Sequence, residues 1–231
     1  MALKMPWREL YQFKSDIPYH NLIRVAWPIV LYKKGDRMSK NFYISDTHFG
    51  HINILRFDHR PFSSVEEMDI ALIENWNNRV EPNDNVYILG DFCWGKSDEW
   101  IKILSQLKGN KYLIAGNHDL KNPPSTVRRF FQDWRDYKEI SDNGRKVIMC
   151  HYPIPFYKSD YYYNVFMLFG HLHTTVENEY LENLRYQIEN DPYERSAKNL
   201  CQFYNVGCMM PWMDYTPRTL DEIVDGFAKF H

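Results

Sequence analysis

The chain has 231 residues, 44% of them hydrophobic and 25% charged, the proportions of an ordinary folded domain rather than a disordered or fibrous chain. Its 28 Lys and Arg against 30 Asp and Glu give a formal charge of −2, which excludes a histone-like or polyphosphate-coating surface and leaves room only for a local basic patch. Four cysteines (Cys93, Cys150, Cys201, Cys208) show no C-x-x-C spacing and read as small buried hydrophobes of a reducing compartment. No apolar run has the length of a signal peptide or approaches 18 residues, so the expectation is a soluble, cytoplasmic protein that does not touch membranes.

Residues 1–38 carry a single apolar run, Ala26 to Tyr32, between polar and Pro/Gly punctuation. They are expected to form an N-terminal extension packed on a core domain at 39–231. From Asn41 the pattern sharpens. Phe42-Tyr43-Ile44 reads as a short buried strand that stops at Ser45-Asp46. Met68, Ile70, Leu72, Ile73 and Trp76 follow a helical rhythm that ends before Pro82-Asn83-Asp84. Val86 to Leu89 is a second strand closed by Gly90-Asp91; Trp100 to Leu107 marks a helix ended near Gly109; Tyr112 to Ala115 is a third strand closed by Gly116-Asn117-His118-Asp119. Val147 to Cys150 leads to His151, Val165 to Phe169 leads to Gly170-His171-Leu172-His173, and Gln202 to Tyr204 leads to Asn205. Residues 177–199 read as a helix or hairpin beside the cleft, and a last helix starts at Leu220. Fully apolar strands of four or five residues that alternate with helices predict a buried α/β sheet.

Every strand ends in Asp, Asn or His, and in α/β folds ligands sit beyond the carboxyl ends of the strands. The clusters should therefore converge. Bare carboxylates so gathered would repel one another, and cations would neutralise them. Asp46, His48, Asp91, Asn117, His151, His171 and His173 make seven candidate ligands, too many for one tetrahedral ion. Shared between two ions by a bridging carboxylate, they supply four protein ligands to each. Mixed N and O donors without thiolate suit Mn²⁺, Fe or Zn²⁺. Two such ions, about 3.5–4 Å apart, hold a bridging hydroxide and stabilise in-line attack at phosphorus.

In their order and strand-end placement, Asp46-Thr47-His48, Gly90-Asp91, Gly116-Asn117-His118-Asp119, His151 and Gly170-His171-Leu172-His173 resemble the five sequence blocks of the calcineurin-like metallophosphoesterases. The stretches Tyr43 to Phe57 and Tyr87 to Phe92 are similar to small bacterial and phage-type members. The resemblance implies a four-layer α/β-β/α sandwich. It assigns Asp46, His48, Asp91 and His173 to one ion, Asp91, Asn117, His151 and His171 to the other, and Asp91 as the bridge. It also implies that His118 is no ligand but assists the leaving group. One departure stands out: Gly90-Asp91-Phe92-Cys93-Trp94-Gly95 lacks the second Asp and the Arg of the protein-phosphatase branch, which argues against a phosphoprotein substrate.

Around this centre, His51, Asn53 and Tyr152 are candidates for substrate contact, and Arg56, ahead of Arg60, for a phosphate clamp. Asp119 is expected to brace its own loop. The aromatic run from Tyr152 to Tyr163 reads as a flap packed on the core, or else as a base-stacking surface. The function expected is a two-metal phosphoesterase acting on a small nucleotide or metabolite diester or monoester. The alternatives are a metal-dependent nuclease, not favoured because no Lys/Arg blocks are present, and a silent metal-stabilised scaffold, which would need no His118. Nothing in the sequence specifies the oligomeric state.

Overall fold

The computed structural model describes residues 37–190 and 201–230. Strands β1 (Asn41–Ile44), β2 (Asn85–Ile88), β3 (Asn110–Ile114) and β4 (Phe131–Arg135) form a parallel sheet in that order. A second sheet runs β5 (Tyr137–Asp142), β6 (Arg145–Cys150), β7 (Val165–Phe169), β8 (Phe203–Asn205), parallel except for the antiparallel β5–β6 pair. The helices are α1 (Ile54–Phe57), α2 (Val65–Arg79), α3 (Ser97–Leu104), α4 (Ser125–Arg128), α5 (Val176–Glu189) and α6 (Leu220–Phe230). Two sheets flanked by helices make the α/β-β/α sandwich. Ser39–His231 is one compact unit. The expected packing of an extension at 1–38 falls outside the described residues, which include only Arg37 and Met38 of it, as does 191–199 of the 177–199 segment.

Parallel pairing puts the beginnings of β1 to β4 at one end of their sheet and the endings at the other. At the first end Asn41, Asn85 and Asn110 stand in register, with Asn85 Nδ2 donating to Asn41 Oδ1 at 3.0 Å. Two residues on, Tyr43, Tyr87 and Tyr112 stack at 5.5 and 4.7 Å, and the Tyr43 hydroxyl donates to Asp142 of the second sheet at 2.8 Å. Buried on both faces, β6 and β7 alternate between two cores. Val147, Met149, Phe166 and Leu168 enter the larger core, while Ile148, Val165, Met167 and Phe169 pack with Leu181 of α5. Arg185 of α5 is buried and donates to the Cys201 and Phe203 carbonyls, tying α5 to β8.

Helix α2 starts where Ser64 Oγ accepts from Glu67 N–H at 3.1 Å, and it turns Met68, Leu72 and Trp76, four residues apart, to the core. The two sheets join at the site edge: Ser45 N–H donates to Val206 O and Ser45 O accepts from Cys208 N–H, at 2.8 and 2.9 Å. The four cysteines are free, three of them buried. No described helix is long and apolar enough to cross a membrane.

Candidate metal centre

Where the strands end, the backbone leaves its relaxed conformations. Asp46, His48, Asp91, His171 and His173 all have positive φ, between 49° and 70°. Such non-glycine residues cost about 1–3 kcal/mol each and persist only where the surroundings hold them. The bonds that hold them run between the loops. Asp46 N–H donates to Gly90 O, His48 N–H to Asp91 O and Gly170 N–H to His151 O, at 2.9–3.0 Å. The approach is close enough that a methyl at Gly170 would strike Ser45 Oγ and Asp46 Oδ2, and one at Gly116 would strike Asp91 Oδ1.

Four side chains converge. One donor atom from each of Asp46, His48, Asp91 and His173 lies within 4.8 Å of the others. His48 Nε2 is 3.4 Å from His173 Nε2 and 3.6 Å from Asp91 Oδ2, and His173 Nε2 is 3.4 Å from Asp46 Oδ1. His173 Nδ1 donates to the Asp58 carboxylate at 2.8 Å, which leaves the Nε2 lone pair turned into the cluster. Burial, then the neighbouring His173 and Arg60, holds His48 well below the usual imidazole range, so it is neutral, the form that ligates. Burial, with Asp46 adding to it, pushes the Asp91 carboxyl up; a cation would relieve that strain. Carboxylate oxygens and imidazole nitrogens facing one another make a donor set that fits a divalent cation.

Around Asp91 stand further predicted residues. His151 Nε2 is 3.7 Å from Asp91 Oδ2 and 3.0 Å from Asn117 Oδ1, and its Nδ1–H donates to Leu89 O at 2.7 Å. The His171 ring is 5.1 Å from that of His151 and 4.6 Å from that of Tyr152, and its backbone N–H donates to Asp46. His118 is exposed, its N–H fixed on Asp91 Oδ1 at 2.9 Å, with its ring 5.8 Å from His48.

These donors sit in a recognisable sequence frame. Residues 42–203 match the sequence model of the calcineurin-like phosphoesterases. The chain belongs to that family. The uncharacterized protein MJ1445 of Methanocaldococcus jannaschii is 38% identical over 145 residues, covering 62% of this chain and 74% of the relative. The Gene 66 protein of Mycobacterium phage L5 is 37% identical over 89 residues, 37% of this chain and 42% of that one. The crystal structure of the Aquifex aeolicus protein of unknown function AQ665 superposes with a TM-score of 0.53 at 24% identity, over 81% of this chain and 99% of that one, a likeness of fold. This calcineurin-like phosphoesterase is a metal-dependent hydrolase, with a buried Asp/His cluster at its strand ends.

The weaker candidates divide. Arg60 faces away from any substrate: it is buried, its Nη1 and Nη2 donate to the Thr47 and Asp46 carbonyls at 2.9 and 2.8 Å, and it pairs with Asp58. It shapes the phosphoesterase's first loop and clamps no phosphate. Arg56 and Asn53 are exposed, with the Arg56 guanidinium 5.2 Å over the Phe57 ring. His51 is buried and stacked on Trp94, and Tyr152 is half exposed against His171. Among the aromatics of the run Tyr157 alone is buried, with the partly buried Ile154 packed on the same core, while Phe156, Tyr161, Tyr162 and Tyr163 are exposed.

Two supporting residues emerge from the structure. Asp58 had no signal, because its partner lies 115 positions along the chain. Asp119 does more than brace its own loop, since it accepts from Gly116, Asp91 and Phe92 N–H at 2.8–3.0 Å and so joins two ligand-bearing loops.

Proposed function

We propose that the chain hydrolyses a phosphate ester of a small nucleotide or metabolite, a diester or a monoester, at a centre of two divalent ions. The observation that carries this is the position of Asp91. One carboxylate oxygen faces His48 at 3.6 Å and His151 at 3.7 Å, as a ligand shared between two ions would.

On this reading Asp46, His48 and His173 with Asp91 hold one ion, and Asn117, His151 and His171 with Asp91 hold the other. Mn²⁺, Fe and Zn²⁺ all suit the donors. When bound, such ions supply a water acidified to near neutrality and positive charge beside the phosphoryl oxygens. The protein's own share is to aim and to protonate. Because imidazole ligands bring no negative charge, two divalent ions held by four histidines and two carboxylates would leave the centre positive toward an anionic ester. Asp91 fixes the His118 backbone, which puts that ring at the open rim of the centre, placed to protonate the departing oxygen. Asp58 and Arg60 hold His173 and the Asp46 loop without touching substrate.

The test is hydrolysis of bis-p-nitrophenyl phosphate and p-nitrophenyl phosphate by the Mn²⁺-supplemented protein. Metal-dependent turnover that EDTA abolishes supports the reading; none on either ester removes it. Preference between the two esters separates a diesterase from a monoesterase.

A further inference from the structure

Past Asp91 the chain continues Phe92-Cys93-Trp94, and this segment is zipped to the first loop. Phe49 pairs with Cys93 as a parallel bridge, and Trp94 N–H donates to Phe49 O at 2.8 Å. The pairing sets the Trp94 indole 4.1 Å from the His51 imidazole, within 8° of coplanar, and 5.4 Å from the ring of His118. Phe57 follows at 6.4 Å from His51, with Arg56 over it. The rings of His118, Trp94, His51 and Phe57 thus neighbour one another in turn, and His51 also lies 5.4 Å from the ring of His48.

The exposures are unequal in an informative way. His51 is 9% exposed, and its Nδ1 is buried without a hydrogen-bond partner, so the ring serves as backing and not as a polar contact. Trp94, which it backs, is 44% exposed. Trp76 and Trp100 are turned fully inward by comparison. An indole backed by one stacked ring and still 44% exposed forgoes part of the stabilisation of burial yet is held in place, as a stacking surface requires. Its place beside the residue assigned to the leaving oxygen says which part of the substrate it meets.

We propose that Trp94 is the platform for the substrate's leaving group, and that this group is a nucleoside whose base stacks on the exposed part of the indole. The assignment rests on the phosphoesterase reading above, through the role of His118. A flat π-bearing group gains from such a surface and an alkyl or sugar group gains much less. Because every base has a π-face, stacking predicts little discrimination among bases. It makes Trp94 a specificity residue, with His51 positioning it.

The experiment compares the non-hydrolysable 5′-methylenephosphonate analogues of AMP and of ribose 5-phosphate by calorimetry on the Mn²⁺-loaded protein. They share the phosphonate and the sugar and differ only in the base. The wild type is expected to bind the AMP analogue about 10- to 100-fold more tightly, the range of one base–aromatic stack. Trp94→Ala should bring the two affinities within about threefold, while Trp94→Phe keeps most of the gap, the loss and rescue of one stack. If the alanine variant does not fold, Trp94→Leu, which keeps apolar bulk without a ring, gives the same test. Equal affinities in the wild type, or an undiminished gap in the ring-less variant, overturn the proposal. Hydrolysis of bis-p-nitrophenyl phosphate, measured alongside, separates the two levels. Turnover without a base preference removes the platform alone, whereas a Trp94-dependent base preference without turnover leaves a base-binding face at Trp94 but removes the phosphoesterase reading and, with it, the leaving-group role.

Discussion

The carboxylate of Asp58 accepts the Nδ1–H of His173 at 2.8 Å while pairing with the buried Arg60, whose Nη2 and Nη1 also donate to the Asp46 and Thr47 carbonyls. One carboxylate thus sets the tautomer of one candidate ligand and the backbone of the loop that carries two more. Burial lowers the His173 pKa, but the hydrogen bond to Asp58 and the charges of Asp46 and Asp58 outweigh it and hold the imidazole above its usual value. Such partners strengthen a histidine as a ligand.

Asp58→Asn keeps the shape and removes the charge. It is expected to weaken metal affinity by about 10- to 100-fold, as measured by competition with a chromophoric chelator. Affinity equal to the wild type would show that Asp58 merely fills space.

His118 is fixed to Asp91 by its backbone N–H, and its ring, 5.8 Å from that of His48, stands outside the Asp46, His48, Asp91 and His173 cluster, so its side chain can be changed without removing one of those donors. His118→Asn should keep the full metal content and lose about 10²- to 10⁴-fold in kcat on an ester with a poor leaving group. The loss should shrink on p-nitrophenyl esters, whose leaving group needs little protonation. Equal losses on both kinds of ester would contradict the assignment.

The apolar strands and the polar residues that end them were legible because both belong to short segments. Each of β1, β2, β3, β6 and β7 reads as a buried run that stops at Asp, Asn or His. The edge strands β4 and β5 were not legible. β4 is Phe-Gln-Asp-Trp-Arg and β5 is Tyr-Lys-Glu-Ile-Ser-Asp, polar sequences that pair because a neighbour offers its edge. The bracing roles were hidden for a related reason. Asp58 and Asp119 act on partners 115 and up to 28 positions away, and only the converging strand ends bring them together. Arg60 shows the converse error. An arginine near a metal loop suggests a phosphate clamp, yet burial and two backbone carbonyls commit it to structure.

Gly170 tests the close packing behind the Asp46 loop. A methyl there meets Ser45 Oγ and Asp46 Oδ2. Gly170→Ala is expected to destabilise the protein by about 1–3 kcal/mol in urea unfolding and to lower metal content. Unchanged stability together with full metal loading would mean that the loop yields freely.

Lys111 gives a pH signature far from the centre. It is buried, donates to the Leu107 and Gly109 carbonyls, and burial lowers its pKa to about 8. Between that value and the unfolded value near 10.4 the unfolded chain binds more protons, so this residue makes stability rise with pH. Below about pH 8 the full cost of the buried charge is present. Lys111→Met removes the titration, and the urea midpoint of wild type relative to variant should climb from pH 8 to 10. A flat difference would show that Lys111 stays as well solvated as in the unfolded chain.

The pair of ions that Asp91 is proposed to share is tested most directly by counting them. Elemental analysis of the Mn²⁺-reconstituted, desalted protein should find two equivalents per chain in the wild type and markedly fewer in Asp91→Asn, with both proteins folded by circular dichroism. A wild-type stoichiometry of one or none, or two equivalents that survive the loss of the Asp91 charge, would contradict the shared-carboxylate centre.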